Sequence, residues 1–160
     1  MNIAIIFTTT HGTTEKVANY IATKLKKEKV TLIPLKKVGK PDLENFAKII
    51  LGASVHMGVI QSVMKKFCKD NLETLLKKDV GLYVCGMEPD LNRQEAELEL
   101  AYPDELFTQA RAKAFVGGEF LFEKMNIFQQ IIIKKISKIT KTKSDIKYDI
   151  VDHFISLMQK

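Results

Sequence analysis

The chain opens on a short apolar run, Ile3-Ala-Ile-Ile-Phe7, which passes through Thr8-Thr-Thr-His-Gly-Thr-Thr14 into helical spacing over 15–27. Apolar residues in so short a continuous run, mostly β-branched or aromatic, suit a strand buried on both faces. Val17, Ala18, Ile21 and Leu25 then recur on one face of a helix. A strand turning through hydroxyls and one glycine onto a helix N-terminus leaves free backbone N–H groups at the positive end of the helix dipole. Such a turn is an anion site, and its threonines add donors.

Three kinds of anion could use the loop. A Walker loop ends in Gly-Lys-Ser/Thr, and no such triplet follows Gly12. A dinucleotide fingerprint needs three spaced glycines, and the loop has one. What remains is a single phosphate held by hydroxyls and amides with no lysine inside the loop, the chemistry of a phosphomonoester such as that of FMN. A threonine-rich turn that only caps the helix would carry the same residues.

Further along, Val30–Ile33 reads as a second strand closed by Pro34. Proline removes a ladder donor, which places this strand at a sheet edge. Residues 47–51 form a third strand ending in a loop over 52–58, and 61–76 form one amphipathic helix. Residues 80–85 form a fourth strand leading to a loop over 86–91. Asn92 and Glu95 resemble an N-terminal capping box, and that helix breaks at Pro103. Residues 114–122 read as a fifth strand with Gly117-Gly118 inside it, and 148–158 as a final helix.

Alternation of strands and helices predicts an α/β three-layer sandwich around a five-stranded parallel sheet, with order 2-1-3-4-5 favoured. Ligands bind in such sheets beyond the carboxyl ends of the strands at the switch point. The loops at 8–14, 52–58 and 86–91 converge there. The length of 160 residues predicts a single domain over 1–160. No basic leader precedes the first strand and no apolar stretch approaches the ~20 residues of a membrane span, so a cytoplasmic protein is expected. Cys68 and Cys85 lack metal-ligand or CxxC spacing and read as core. No metal cluster or acid–base set is visible.

Net charge is +6, and the six lysines between Lys124 and Lys143, with no acid among them, account for all of it. The basicity is one patch. If helical, 127–143 places Phe128, Ile132, Ile136 and Ile139 on one side and Lys134, Lys138 and Lys141 on another. A basic amphipathic helix can lie on an anionic membrane surface; a core-facing helix with a solvated lysine edge has the same pattern. Nucleic acid is not expected, since the patch lacks arginine.

With these residues in place the chain resembles a flavodoxin-type FMN domain over essentially its whole length. The family loop runs hydroxyl-x-Thr-Gly-x-Thr, here Thr9-Thr10-His11-Gly12-Thr13-Thr14. Thr9 and Thr14 match the phosphate-binding hydroxyls and Gly12 the turn glycine, while His11 stands where threonine is usual. The likeness is greater to the flavodoxin-like, menaquinone-dependent protoporphyrinogen oxidases. They share the Gly-Ala-Ser-x-x-x-Gly run, here Gly52 to Gly58, and a basic, apolar insert, here about 123–143. The insert here has no arginine and only Phe128 as an aromatic, and the chain has no tryptophan to stack on a flavin.

The resemblance implies FMN as cofactor, with Ala53, Ser54, Val55 and Gly58 at the flavin edge. His56 and Met57 are the candidates for a contact with the ring face, and Gly86, Met87 and Glu88 approach from the other side. His56 as an exposed loop histidine and Glu88 as a solvated loop acid are equally compatible with the sequence. The implied activity is oxidation of protoporphyrinogen to protoporphyrin, electrons passing through FMN to a quinone, with peripheral attachment to the inner face of the membrane. The alternative is a soluble electron carrier between redox protein partners. No catalytic side chain is identified.

Overall fold

The computed structural model describes residues 1–137 and 141–160. Its strands are β1 (Asn2–Phe7), β2 (Lys29–Pro34), β3 (Lys48–His56), β4 (Val59–Ile60), β5 (Asp79–Cys85), β6 (Ala112–Phe115), β7 (Gly117–Phe120) and β8 (Lys143–Ile146). The helices are α1 (Thr13–Lys24), α2 (Leu35–Val38), α3 (Ser62–Asp70), α4 (Leu72–Leu75), α5 (Leu91–Ala101), α6 (Asp104–Gln109), α7 (Ile127–Ser137) and α8 (Tyr148–Gln159).

The main sheet runs β2-β1-β3-β5-β6, with β4 beside β3. Its five long strands pair in parallel, which is the expected order 2-1-3-4-5, and β2 with its terminal Pro34 lies at the edge. Alternation along β1 explains the continuous apolar run. Ile3, Ile5 and Phe7 pack on Val17, Ala18 and Ile21 of α1 and on Val151, Phe154 and Ile155 of α8. Ala4 and Ile6 face the opposite layer, where Met64 and Phe67 of α3, Leu98 of α5 and Leu106 of α6 are buried. Side chains of both parities are covered because right-handed crossovers put helices on both faces.

Four elements differ from the expectation. The segment 114–122 is not one strand. Gly117 at φ 71° turns the chain out of the main sheet after β6, and β7 pairs antiparallel with β8. A side chain at Gly117 would put its Cβ 2.0 Å from the Asp145 carbonyl oxygen. β3 continues past Leu51 to His56, so much of the expected 52–58 loop is strand. The helix over 61–76 breaks at Asn71, whose side-chain amide donates to the Phe67 carbonyl at 2.9 Å. The cap of α5 is Asp90, whose carboxylate accepts from Arg93 N–H at 2.9 Å, and not Asn92.

Candidate functional site

The carboxyl ends of β1, β3 and β5 open on a cleft of about 390 Å³, within the range of small-molecule sites. Of the residues expected there, Thr9, His11 and Thr13 line it from the first loop, Ser54 to Gly58 from the end of β3, and Gly86, Met87 and Glu88 from β5. Thr10 is exposed and Gly12 shapes the loop. Ala53 is fully buried in the core behind the cleft, because alternation along β3 turns it away from its neighbour Ser54.

The first loop is built for its turn. Gly12 takes φ 100°, a conformation that suits glycine, and its N–H donates to Thr9 Oγ1 at 2.8 Å. Thr9 thereby keeps its own hydroxyl hydrogen for an acceptor in the cleft. Thr14 opens the first turn of α1 fully buried, behind the residues that line the cleft, and among the described residues its hydroxyl lies beside the Cys85 thiol without a hydrogen bond of ordinary geometry. A buried hydroxyl with so weak a partner as a thiol retains capacity for a stronger acceptor. The Thr14 carbonyl accepts from the Tyr83 hydroxyl at 3.1 Å, which anchors the start of α1 to β5.

Gln61, not singled out by sequence, joins the first loop to the end of β3. Its Oε1 accepts from the Thr8 hydroxyl at 2.9 Å and from Ser54 N–H at 3.2 Å. Its Nε2 donates to Ser54 Oγ at 2.5 Å and to Thr10 Oγ1 at 3.4 Å. A single glutamine ahead of a helix carries no distinguishing pattern; only the convergence of two loops gives it this role. The chain between Val55 and Ile60 is a tight hairpin, with Met57 at φ 52° and Gly58 at φ 77°. Both central residues are left-handed, as the two-residue turn matching strand twist requires. Met57 is 98% exposed at its tip.

The opposite wall comes from β7, which sequence had placed in the main sheet. Gly86 N–H donates to the Gly117 carbonyl at 3.0 Å. A Cβ on Gly118 would stand 2.8 Å from the Gly86 carbonyl oxygen, so this close passage of two backbones needs glycine. Glu119, also missed, pairs with Lys16 at 2.7 Å and accepts from the Ser144 hydroxyl at 2.8 Å. Burial acts to raise the pKa of its carboxyl, but hydrogen bonds from Lys16, Ser144 and Thr13 together hold it below the usual carboxylate range. Glu119 so fastens the β7–β8 hairpin to the start of α1.

The Glu88 carboxylate accepts from Asp90 N–H at 2.9 Å, so it closes its own turn. Burial pushes the Cys85 thiol up to about 12, with the Thr14 hydroxyl beside it acting in the opposite direction, so Cys85 stays protonated near neutral pH. Among the described residues no group of three metal-ligating side chains occurs. No described helix is long and apolar enough to cross a membrane.

His11 and His56 face each other across the cleft with ring centroids 6.2 Å apart. His56 keeps much of its surface exposed at the end of β3, and the part of its ring removed from water, then the charges of His11 and Lys36, lower its pKa. A histidine depressed in the fold takes up its proton more readily when the chain unfolds. Its contribution is therefore present above about pH 6.5 and is lost as pH falls through that value toward the folded pKa. His56→Gln should accordingly shrink the loss of stability between about pH 7.5 and 5.5, read by urea unfolding. Equal losses in both proteins would assign the acid limb to other groups.

The inserted segment supplies the remaining wall. Met125 and, from α7, Ile133 and Ile136 line the cleft. Ile127, Phe128 and Ile131 on α7 are 77, 72 and 58% exposed, and Ile132 and Ile136 are exposed as well. Lys134 and Lys141 are exposed, while Lys138 and Ile139 lie outside the described residues. Neither a purely core-facing helix nor a purely outward one describes α7: it covers the cleft and presents apolar surface outward.

The sequence profile of a family described as the flavodoxin domain matches residues 4–147. A protoporphyrinogen IX dehydrogenase [quinone] of Escherichia coli (strain K12) is 20% identical over 157 residues, covering 94% of this chain and 87% of that protein. Oxidised flavodoxin 1 from Bacillus cereus superposes with a TM-score of 0.57 at 16% identity, covering 99% of this chain and 95% of that one. A Fusobacterium nucleatum flavodoxin bound to flavin mononucleotide gives a TM-score of 0.54 at 15% identity, covering 99% and 96%.

Proposed function

Because the chain belongs to the flavodoxin domain family, we propose that it is an FMN-binding redox protein of one domain over 1–160, and that it oxidises protoporphyrinogen with a quinone as electron acceptor. The fit to FMN rests first on the hydroxyl loop at the start of α1, where Thr9 and Thr13 line the cleft and the Thr14 hydroxyl is buried with only the Cys85 thiol beside it. Thr9, Thr13 and Thr14, with the free N–H groups of the first turn of α1, would hold the phosphate. Thr10 and His11 shape the same loop. The β3–β4 hairpin, from Ser54 to Gly58, and the turn from Gly86 to Glu88 would flank the ring, with Ala53 supporting the hairpin from behind.

When bound, the flavin supplies the two-electron chemistry. The chain's own residues bind, orient and exclude water. Gln61 holds the first loop and the hairpin at a fixed separation through its four hydrogen bonds. Met125, Ile133 and Ile136 give the cleft an apolar wall against which a flat, apolar substrate can lie.

That wall is the observation that favours the oxidase, since passing electrons between proteins does not require it. The full-length resemblance to the Escherichia coli dehydrogenase supports the same reading. The exposed Ile127, Phe128 and Ile131 beside Lys134 suit an anionic membrane surface, where quinone is dissolved. The second reading is an electron carrier, favoured by the same exposed apolar and basic face, which could equally receive an acidic redox partner. The deciding experiment is porphyrin fluorescence from FMN-loaded protein given protoporphyrinogen and a menaquinone analogue with air excluded. Porphyrin that appears only with both FMN and quinone is the expected result. No turnover from fully loaded protein would leave the carrier.

A further inference from the structure

The first loop contains no lysine, yet one stands over it. The Nζ of Lys124 lies 3.6 Å from where a Cβ on Gly12 would be, and apart from Gly12 and its neighbours His11 and Thr13 no other described residue comes within 4 Å of that point. Gly12 is the residue that precedes α1, with its N–H already turned inward to Thr9. The ammonium therefore occupies the open side of the turn, next to the positive end of the helix dipole. Two positive groups brought together in this way repel one another unless an anion lies between them.

Lys124 is also uncommitted. Lys16, the other lysine at the start of α1, is held by Glu119 at 2.7 Å, and Lys124 has no acidic partner among the described residues. Its position is not that of a loose side chain on a long loop. It ends a single 3₁₀ turn, Phe122–Lys124, whose backbone closes through Lys124 N–H to the Leu121 carbonyl at 2.8 Å. That turn is tied to α7 from the other side. Gln130 Nε2 donates to the Phe122 carbonyl at 3.0 Å and the Met125 carbonyl at 2.9 Å. Asn126 and Gln129 exchange reciprocal side-chain bonds to each other's N–H groups, at 2.8 and 3.2 Å, as in a capping box.

We infer that Lys124 is a cofactor-binding residue: it supplies, from the inserted segment, the cation for the FMN phosphate that the threonine loop does not contain. The inference rests on the proposed FMN site. It gives the insert a part in cofactor selection, because the ammonium recognises the phosphate and nothing else of the flavin. A ligand with the same ring and no phosphate gains nothing from it. The hydroxyls and amides of the loop set the geometry of the site, and the insert adds its charge.

The test is a comparison of two ligands on three proteins, with affinities for FMN and riboflavin read from quenching of flavin fluorescence. In Lys124→Gln the affinity for FMN should fall about three- to tenfold, in the range of a partly exposed charge-assisted contact, with riboflavin unchanged. The salt dependence of FMN binding should become shallower in that variant. Lys135→Gln removes the same charge from the exposed face of α7 and should leave both affinities as they are. Equal effects of the two substitutions would reduce Lys124 to general electrostatics, and equal loss of FMN and riboflavin would make it a scaffold residue; either overturns the inference. FMN bound by the parent and equally well by Lys124→Gln removes Lys124 alone. A parent that binds neither flavin removes the FMN site and Lys124 with it.

Discussion

Gly52→Ala should destabilise the protein by about 3 kcal/mol, the upper end of what overpacking a rigid core costs. Gly52 lies opposite Tyr83 in the β3–β5 ladder, and the Tyr83 ring fills the space that a side chain would take. A Cβ there would stand 2.1 Å from Tyr83 Cζ and 2.3 Å from its hydroxyl. The ring cannot swing aside cheaply, since it is fully buried and meets Phe154 edge-on with centroids 6.2 Å apart. If it moves, its hydroxyl leaves the Thr14 carbonyl, and the first turn of α1 loses its anchor to the sheet. The effect thus reaches the site as well as the core. Urea unfolding measures the first and flavin titration the second. Tyr83→Phe is the control: it keeps the ring and removes the hydroxyl, for about 1 kcal/mol. A Gly52→Ala protein within 1 kcal/mol of the parent would mean that the β3–β5 contact yields more readily than its burial implies.

Thr14→Val should separate binding from folding. Valine keeps the shape and removes the hydroxyl. Without flavin that hydroxyl has only the Cys85 thiol beside it, so the flavin-free variant should stay within about 1 kcal/mol of the parent. In the proposed site the same atom would donate to a charged acceptor, and its loss should weaken FMN binding by roughly 1 to 3 kcal/mol, about five- to 150-fold. Riboflavin affinity should not change. The reverse pattern, an unstable variant with unaltered FMN affinity, would assign Thr14 to the core and move the phosphate elsewhere along the loop.

These two residues differ in how they could be found. Thr14 could be singled out as a candidate because a hydroxyl at the first turn of a helix after a buried strand has a local reason to be there, and all of that reason lies within 2–25. Gly52 was visible as part of a Gly-Ala-Ser run, but its partner Tyr83 lies thirty-one positions along the chain, in a strand that only the sheet register places opposite. Gln61 was hidden for the same reason, as was Glu119, whose bonds reach Lys16 and Ser144. The misplaced fifth strand shows the limit from another side. β6 and β7 are short extended segments separated only by Val116, and the break between them is a backbone event at Gly117 whose pairing partner, β8, lies almost thirty residues later in sequence.

What the amino-acid order determined by itself was whatever depends on near neighbours. It determined the alternation of elements, the burial of β1 on both faces, the edge position signalled by Pro34, and the hydroxyl loop on a helix N-terminus. Periodicity and turn chemistry act over a few residues, so they can be read without the fold. The tertiary structure alone decided which glycines yield space to which rings, that β7 forms a wall of the cleft, and that Gln61 joins two loops. It alone decided that a lysine from the insert stands over Gly12. Each of these depends on distances between segments far apart in the chain, which are set when the sheet acquires its register and the helices pack against it.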